Sequence, residues 1–179
     1  ATGHYASSGF MADEGSAGMS RLFFAPEAYP QKLKGAFSFS KQSAPGTVWV
    51  YRTCDTFLLV QAMQGFLQSK RGATANLFQM LVEEVYTPLG LSQSAMSSLR
   101  TDNSPQGRPL GGYGLFFTRD DLVKIASLLN NGQGKIGDKQ ILSPTLLASS
   151  LQQDPQDRGV KTSGAYPYQY SNEIGRAHV

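Results

Sequence analysis

Pro45-Gly-Thr-Val-Trp49-Val-Tyr51-Arg-Thr53 runs directly into the apolar segment Phe57-Leu-Leu-Val60. Pro45-Gly46 marks a turn. Val48, Val50 and the aromatics among them favour a strand or extended arm ending near Tyr51. Asp55 or Thr56 can then cap a helix that carries Phe57, Val60, Ala62 or Met63, and Leu67 on one face and ends before Gly72. The stretch thus delivers a phenolic hydroxyl just ahead of a helix N-terminus. A free tyrosine ionises near pH 10. It becomes a useful base when a lysine ammonium favours the phenolate, or when it passes a proton within a hydrogen-bonded triad. A tyrosine ending an aromatic-rich strand is also an ordinary packing residue with its hydroxyl on a backbone carbonyl. The residues alone leave both roles open.

The same logic extends toward the C-terminus. Thr74 can cap a second helix with Leu77, Met80, Leu81 and Val85 at helical spacing, stopped by Pro88-Leu-Gly90. Residues 92–110 are polar and broken by Pro105, Gly107 and Pro109, which predicts a loop. Gly112-Tyr-Gly-Leu-Phe-Phe117 reads as a strand whose glycines admit a neighbouring backbone closely. Thr118-Arg-Asp-Asp121 has the form of a capping box, followed by Leu122, Ile125, Ala126 and Leu129 on one helical face, and Asn131-Gly132 stops that helix. Residues 135–142 suggest a small hairpin around Gly137-Asp138. Ser143-Pro144 suits the start of one more helix. Toward the N-terminus, Arg21-Leu-Phe-Phe24 can open a helix, and Pro26 and Pro30 interrupt longer periodicity. Ala36-Phe-Ser-Phe-Ser40 alternates and predicts a short extended segment.

The chain has 179 residues, enough for one domain of ordinary size. Charged residues make up 16%, well under the usual quarter or so, and the net charge is +3. Lys32, Lys34 and Lys41 form no continuous basic stripe and read as a solvated face, which argues against a nucleic-acid partner. No apolar run reaches the roughly 20 residues that span a bilayer, so no transmembrane segment is expected. One cysteine, Cys54, and two distant histidines, His4 and His178, argue against an internal disulfide and a metal site. Cys54 is expected to pack under the helix that follows it. Gly111-Gly-Tyr-Gly114 lacks the lysine of a phosphate loop. Asp120 and Asp121 sit where carboxylates suit a helix dipole.

Taken together, Pro45-Gly-x-x-Trp49-x-Tyr51, the helix after it, Pro88-Leu-Gly-Leu91, and Gly112-Tyr-Gly-Leu115 with Thr118-x-Asp-Asp-Leu122 resemble the serine β-lactamase-related family. That family includes class C-type β-lactamases, penicillin-binding D-alanyl-D-alanine carboxypeptidases, esterases and nylon-oligomer hydrolases. The order and spacing match over residues 45–142, and His4-Tyr-Ala-Ser-Ser8-Gly9 resembles a segment that precedes the family's tyrosine. The resemblance implies an α+β, β-lactamase/transpeptidase-like fold. This chain would cover mainly its helical subdomain and the tyrosine wall of its cleft. It implies acyl-enzyme hydrolysis of a small ester or amide without a cofactor, with Tyr51 as proton relay and Thr53 and His4 on the substrate side. Thr53 stands where the family's Tyr-x-Asn motif has Asn, exchanging an amide donor and carbonyl acceptor for one hydroxyl. That departure points toward an esterase or amidase rather than a β-lactamase. It also admits a non-catalytic relative that binds peptide or cell-wall ligands.

The family's Ser-x-x-Lys occurs nowhere in the chain. It is expected upstream of Ala1, and the Lys-Thr-Gly or His-x-Gly strand downstream of Asn172. Lys161-Thr-Ser-Gly164 has one residue too many for that third motif and lacks a β-branched strand context. Residues 1–172 are thus expected to be an internal piece of one hydrolase domain, inactive alone. Glu173-Ile-Gly-Arg-Ala-His-Val179 resembles a sequencing adaptor translated in frame and is set outside the domain. The family expectation for location is the bacterial envelope or periplasm, with cytoplasm the alternative. No oligomeric state is legible in the sequence.

Overall fold

The computed structural model describes residues 14–39, 44, 46–102, 104, 107–151, 156, 159–161, 168–171 and 174–177. Its class is α+β: helices dominate, and two small antiparallel sheets lie toward the C-terminus, one on either side of the last helix in sequence. The helices are α1 (Ala17–Phe24), α2 (Tyr29–Phe37), α3 (Thr53–Arg71), α4 (Leu77–Leu81), α5 (Arg119–Leu129) and α6 (Pro144–Ser150). A π-helical turn, Val82–Tyr86, prolongs α4, and a 3-10 turn spans Gln93–Met96. The strands are β1 (Lys135–Ile136), β2 (Lys139–Gln140), β3 (Val160–Lys161), β4 (Tyr168–Ser171) and β5 (Ile174–Ala177), with β1 paired to β2 and the order β3-β4-β5 in the second sheet. Residues 174–177, set outside the domain on sequence grounds, pair with β4 from Tyr168↔Ala177 to Ser171↔Ile174.

Local signals explain much of this. Ser16 accepts the Met19 N–H at 3.1 Å and starts α1. Pro30 occupies the first turn of α2, so it begins that helix rather than breaking it. In consequence α2 runs through Phe37, and of the short extended segment expected at Ala36–Ser40 the described residues 36–39 are helix, turn and bend instead: the buried Ala36 joins Met19 and Leu22 in a helix-packed core. Asn76, not Thr74, caps α4, accepting the Gln79 N–H at 3.0 Å. Lys32, expected on a solvated face, is buried. Its ammonium donates to Leu22 O at 2.7 Å and Ala25 O at 2.9 Å, the open carbonyls at the end of α1. Burial pulls its pKa down.

Two apolar clusters hold the helices. Met19, Leu22, Ala36, Cys54, Phe57 and Leu110 join α1, α2 and the start of α3. Tyr86, Leu91 and Ala95 form the second, with Phe117 and Ile125 against them. Buried glutamines on α3 stitch the remainder. Gln64 accepts the Leu77 N–H at 2.7 Å and donates to Ala75 O at 2.7 Å, while Gln61 donates to Pro109 O at 2.8 Å.

The loop expected over residues 92–110 carries regular features among its described residues: the 3-10 turn at Gln93–Met96 and two isolated bridges. Bridges Ser98↔Leu115 and Arg100↔Pro109 set residues 98–102 against residues 107–115 as an irregular antiparallel ribbon. Asp102, which accepts the Tyr29 N–H at 3.1 Å, and Arg108, stacked 4.2 Å over the Tyr29 ring, tie the ribbon to α2. Gly112–Phe117 pairs only at Leu115, so it is an arm of this ribbon and not a strand.

Asp121 closes the second cluster. Thr118 and Asp121 form the reciprocal capping box of α5, and Asp121 also accepts the Ser92 N–H at 2.7 Å and the Ser92 hydroxyl at 2.5 Å. The Ser92 hydroxyl first, then N–H groups of Thr118 and Ser92, hold this buried carboxyl well below the usual aspartate range against the effect of burial. A depressed carboxylate pKa contributes stability that is present above the unfolded value near pH 4 and lost as pH falls below it. Thermal melts of Asp121→Asn at pH 7 are expected to sit roughly 5–10 °C below wild type. The gap between the two melting temperatures should begin to narrow near pH 4 and shrink progressively as pH falls toward the lower folded-state value.

Candidate active site

Val50, Tyr51 and Arg52 alternate in extended backbone. Val50 and Arg52 turn inward and are buried, which leaves the Tyr51 ring on the opposite side, 41% exposed. The Trp49 ring meets it edge-on at 6.1 Å. The Trp49 N–H donates to Lys161 O at 2.8 Å, which ties this arm to β3. Lys161 therefore does stand in a strand, contrary to the sequence expectation. Pro45 and residues 162–164 lie outside the described residues.

Helix α3 starts at Thr53, two residues ahead of the expected Asp55 cap, because its acceptor comes from far away in sequence. Glu14 accepts the Thr53 N–H through one carboxylate oxygen and the Thr53 hydroxyl through the other, both at 2.6 Å. A carboxylate at this end also suits the helix dipole. Local patterning cannot reveal a cap 39 residues upstream. The available signal is negative: Arg52, at the N-cap, makes no side-chain capping bond. Glu14→Gln can satisfy only one of the two donors without reorientation and is expected to cost about 1–2 kcal/mol in urea unfolding.

Tyr51, Thr53 and Glu14 line one side of a crevice of about 250 Å³ whose other walls include Phe23, Phe24, Gly112 and Tyr113. Tyr113 packs edge-on against Phe23, 5.4 Å between ring centres. The glycines do stand at close approaches, but to side chains rather than to the neighbouring backbone expected. A Cβ on Gly112 would lie 2.8 Å from both Phe23 Cε1 and Thr53 Cγ2, so a side chain there would displace the crevice wall. The structure thus brings two of the three sequence-derived site residues, Tyr51 and Thr53, to one cavity. The third, His4, lies outside the described residues. Sequence reasoning missed Glu14 and Tyr113 as parts of this site.

The chemistry on offer is two phenols (Tyr51 and Tyr113), two aliphatic hydroxyls (Thr53 and Ser20) and one carboxylate whose oxygens are both engaged by Thr53. Cys54 adds no nucleophile: it is fully buried, and burial, then the adjacent Asp55 carboxylate, push its thiol up to about 12. Among the described residues no group of three His, Cys, Asp or Glu side chains is placed to hold a metal ion. Among them, too, no helix is long and apolar enough to cross a membrane. No protein-family model matches this chain, and no curated protein matches it.

Proposed function

We propose that this chain supplies the tyrosine-bearing wall of a serine hydrolase with a β-lactamase-like fold, acting on a small ester or amide. A serine outside residues 1–172, in a Ser-x-x-Lys pair, attacks the substrate carbonyl. Its oxygen forms the acyl bond, its proton passes through the lysine and Tyr51 to the leaving group, and the leaving group departs as an alcohol or amine. Backbone N–H groups carry the oxyanion, and water then cleaves the acyl-enzyme ester. No cofactor takes part. The observation that carries this reading is the position of Tyr51: a phenol on a crevice wall, at a helix N-terminus, two residues from Thr53 in the same cavity.

The test compares p-nitrophenyl ester hydrolysis by the gene product containing the flanking sequence with hydrolysis by the 179-residue chain. Turnover by the first and none by the second is expected. Equal activity in both would overturn the assignment of the nucleophile. A second reading, a non-catalytic binder of peptide or cell-wall ligands, gains support from Thr53. Its hydroxyl donates to Glu14, which removes that donor from a substrate amide. Saturable ligand binding by the longer gene product, without turnover, would favour it.

A further inference from the structure

A second cavity lies across the Gly112–Tyr113 segment from the Tyr51 crevice and shares those two residues with it. Its volume is about 390 Å³, and Val60, Leu77, Phe78, Leu81, Pro109 and Leu115 supply most of its walls. Only Ser98, Tyr86 and the shared Tyr113 bring side-chain oxygens. The two cavities therefore differ in kind: a carboxylate and several hydroxyls line the first, while the second is mostly hydrocarbon and holds no charged group.

We propose that this apolar chamber receives the hydrocarbon part of the substrate, an acyl chain of about eight to twelve carbons, while the carbonyl occupies the Tyr51 crevice. A dry cavity of about 150 Å³ accommodates benzene, so this open chamber has room for a chain or a fused aromatic rather than a methyl group. Its volume falls within the range of small-molecule sites, roughly 300–1,000 Å³. The backbone is shaped around it at some cost. Tyr86, which lines the chamber, ends the π-helical turn Val82–Tyr86, a geometry that is rare and concentrated at functional sites. Gly111 and Gly114, which also line it, hold φ of 75° and 92°, and their missing Cβ atoms let the Val60 and Leu99 side chains pack directly on this backbone. The shared Gly112–Tyr113 segment makes a single bipartite ligand the economical occupant, with its polar end at Tyr51.

The inference rests on the acyl-transfer reading for the polar end alone, and its test needs no turnover. Octanamide, a neutral probe, is titrated calorimetrically into the 179-residue chain, with acetamide as the short comparator. One-to-one saturable binding of octanamide is expected, at least tenfold tighter than acetamide and with a negative heat-capacity change. Leu81→Trp fills the chamber and should weaken octanamide at least tenfold. Leu115→Trp, at a half-exposed position, should do the same and carries the test if the first variant fails to fold. Leu146→Ser, on the exposed face of α6, should leave binding unchanged. Octanamide no tighter than acetamide, or binding unmoved by a folded tryptophan variant, would overturn the proposal. Failure of the hydrolase reading is read separately: octanamide binding to this chain with no ester turnover by the longer gene product would retain the chamber and remove the enzyme.

Discussion

Tyr51→Phe in the longer gene product is expected, on the proposed hydrolase reading, to lower the acylation rate about 10²–10⁴-fold, the usual worth of a positioned proton-transfer group. The substitution removes one oxygen and nothing else. The ring keeps its edge-on contact with Trp49, Val50 still anchors the arm inward, and Glu14 still caps α3 at Thr53. Melting temperature is accordingly expected to stay within about 2 °C of wild type, since exposed substitutions away from special features cost little. The two readouts separate the two roles open to this residue. A packing tyrosine tolerates phenylalanine in both assays, whereas a relay tyrosine loses rate and keeps stability. Stopped-flow measurement of the acylation phase against a nitrophenyl ester, beside thermal melts of the same preparations, gives both numbers.

Gly111→Ala is expected to destabilise the chain by about 2–4 kcal/mol, the largest stability loss among the variants considered. Two costs combine. Gly111 sits at φ 75°, where an L side chain is strained. Its new Cβ would also fall inside the van der Waals shell of the Val60 methyls on α3. The helix cannot retreat easily, because Gln61, one residue on, holds Pro109 O at 2.8 Å. The ribbon must therefore shift, and it forms walls of both cavities. Urea unfolding measures the loss. Octanamide titration should show weakened binding in whatever fraction remains folded.

What could be read from sequence was what neighbouring residues decide. The capping box at Thr118–Asp121, the Ser143-Pro144 start of α6, the hairpin around Gly137-Asp138 and the stop of α3 before Gly72 are settled within a few residues, and all four stand in the structure. The glycine-rich run at 111–114 announced a close approach but suggested a backbone, where the partners are the side chains of Val60, Thr53, Phe23 and Leu99. Distant pairing was not legible. The Glu14 cap, the bridge between Arg100 and Pro109 and the β3-β4-β5 sheet depend on partners that no local pattern specifies. Ala36–Ser40 misled because a two-residue alternation in five positions is weak evidence beside a proline that starts a helix at residue 30. Lys32 misled because its class is almost always solvated. Here the open carbonyls of α1 replace that water. Of the site itself, Tyr51 and Thr53 were visible as a motif, while the wall opposite them was visible only as glycines.

The most direct measurement is covalent labelling of the longer gene product with a fluorophosphonate probe, followed by mass-spectrometric location of the adduct. The account predicts a one-to-one adduct on the serine of a Ser-x-x-Lys sequence, formed far more slowly in Tyr51→Phe. An unlabelled protein, or a labelled serine whose rate ignores that substitution, would contradict it.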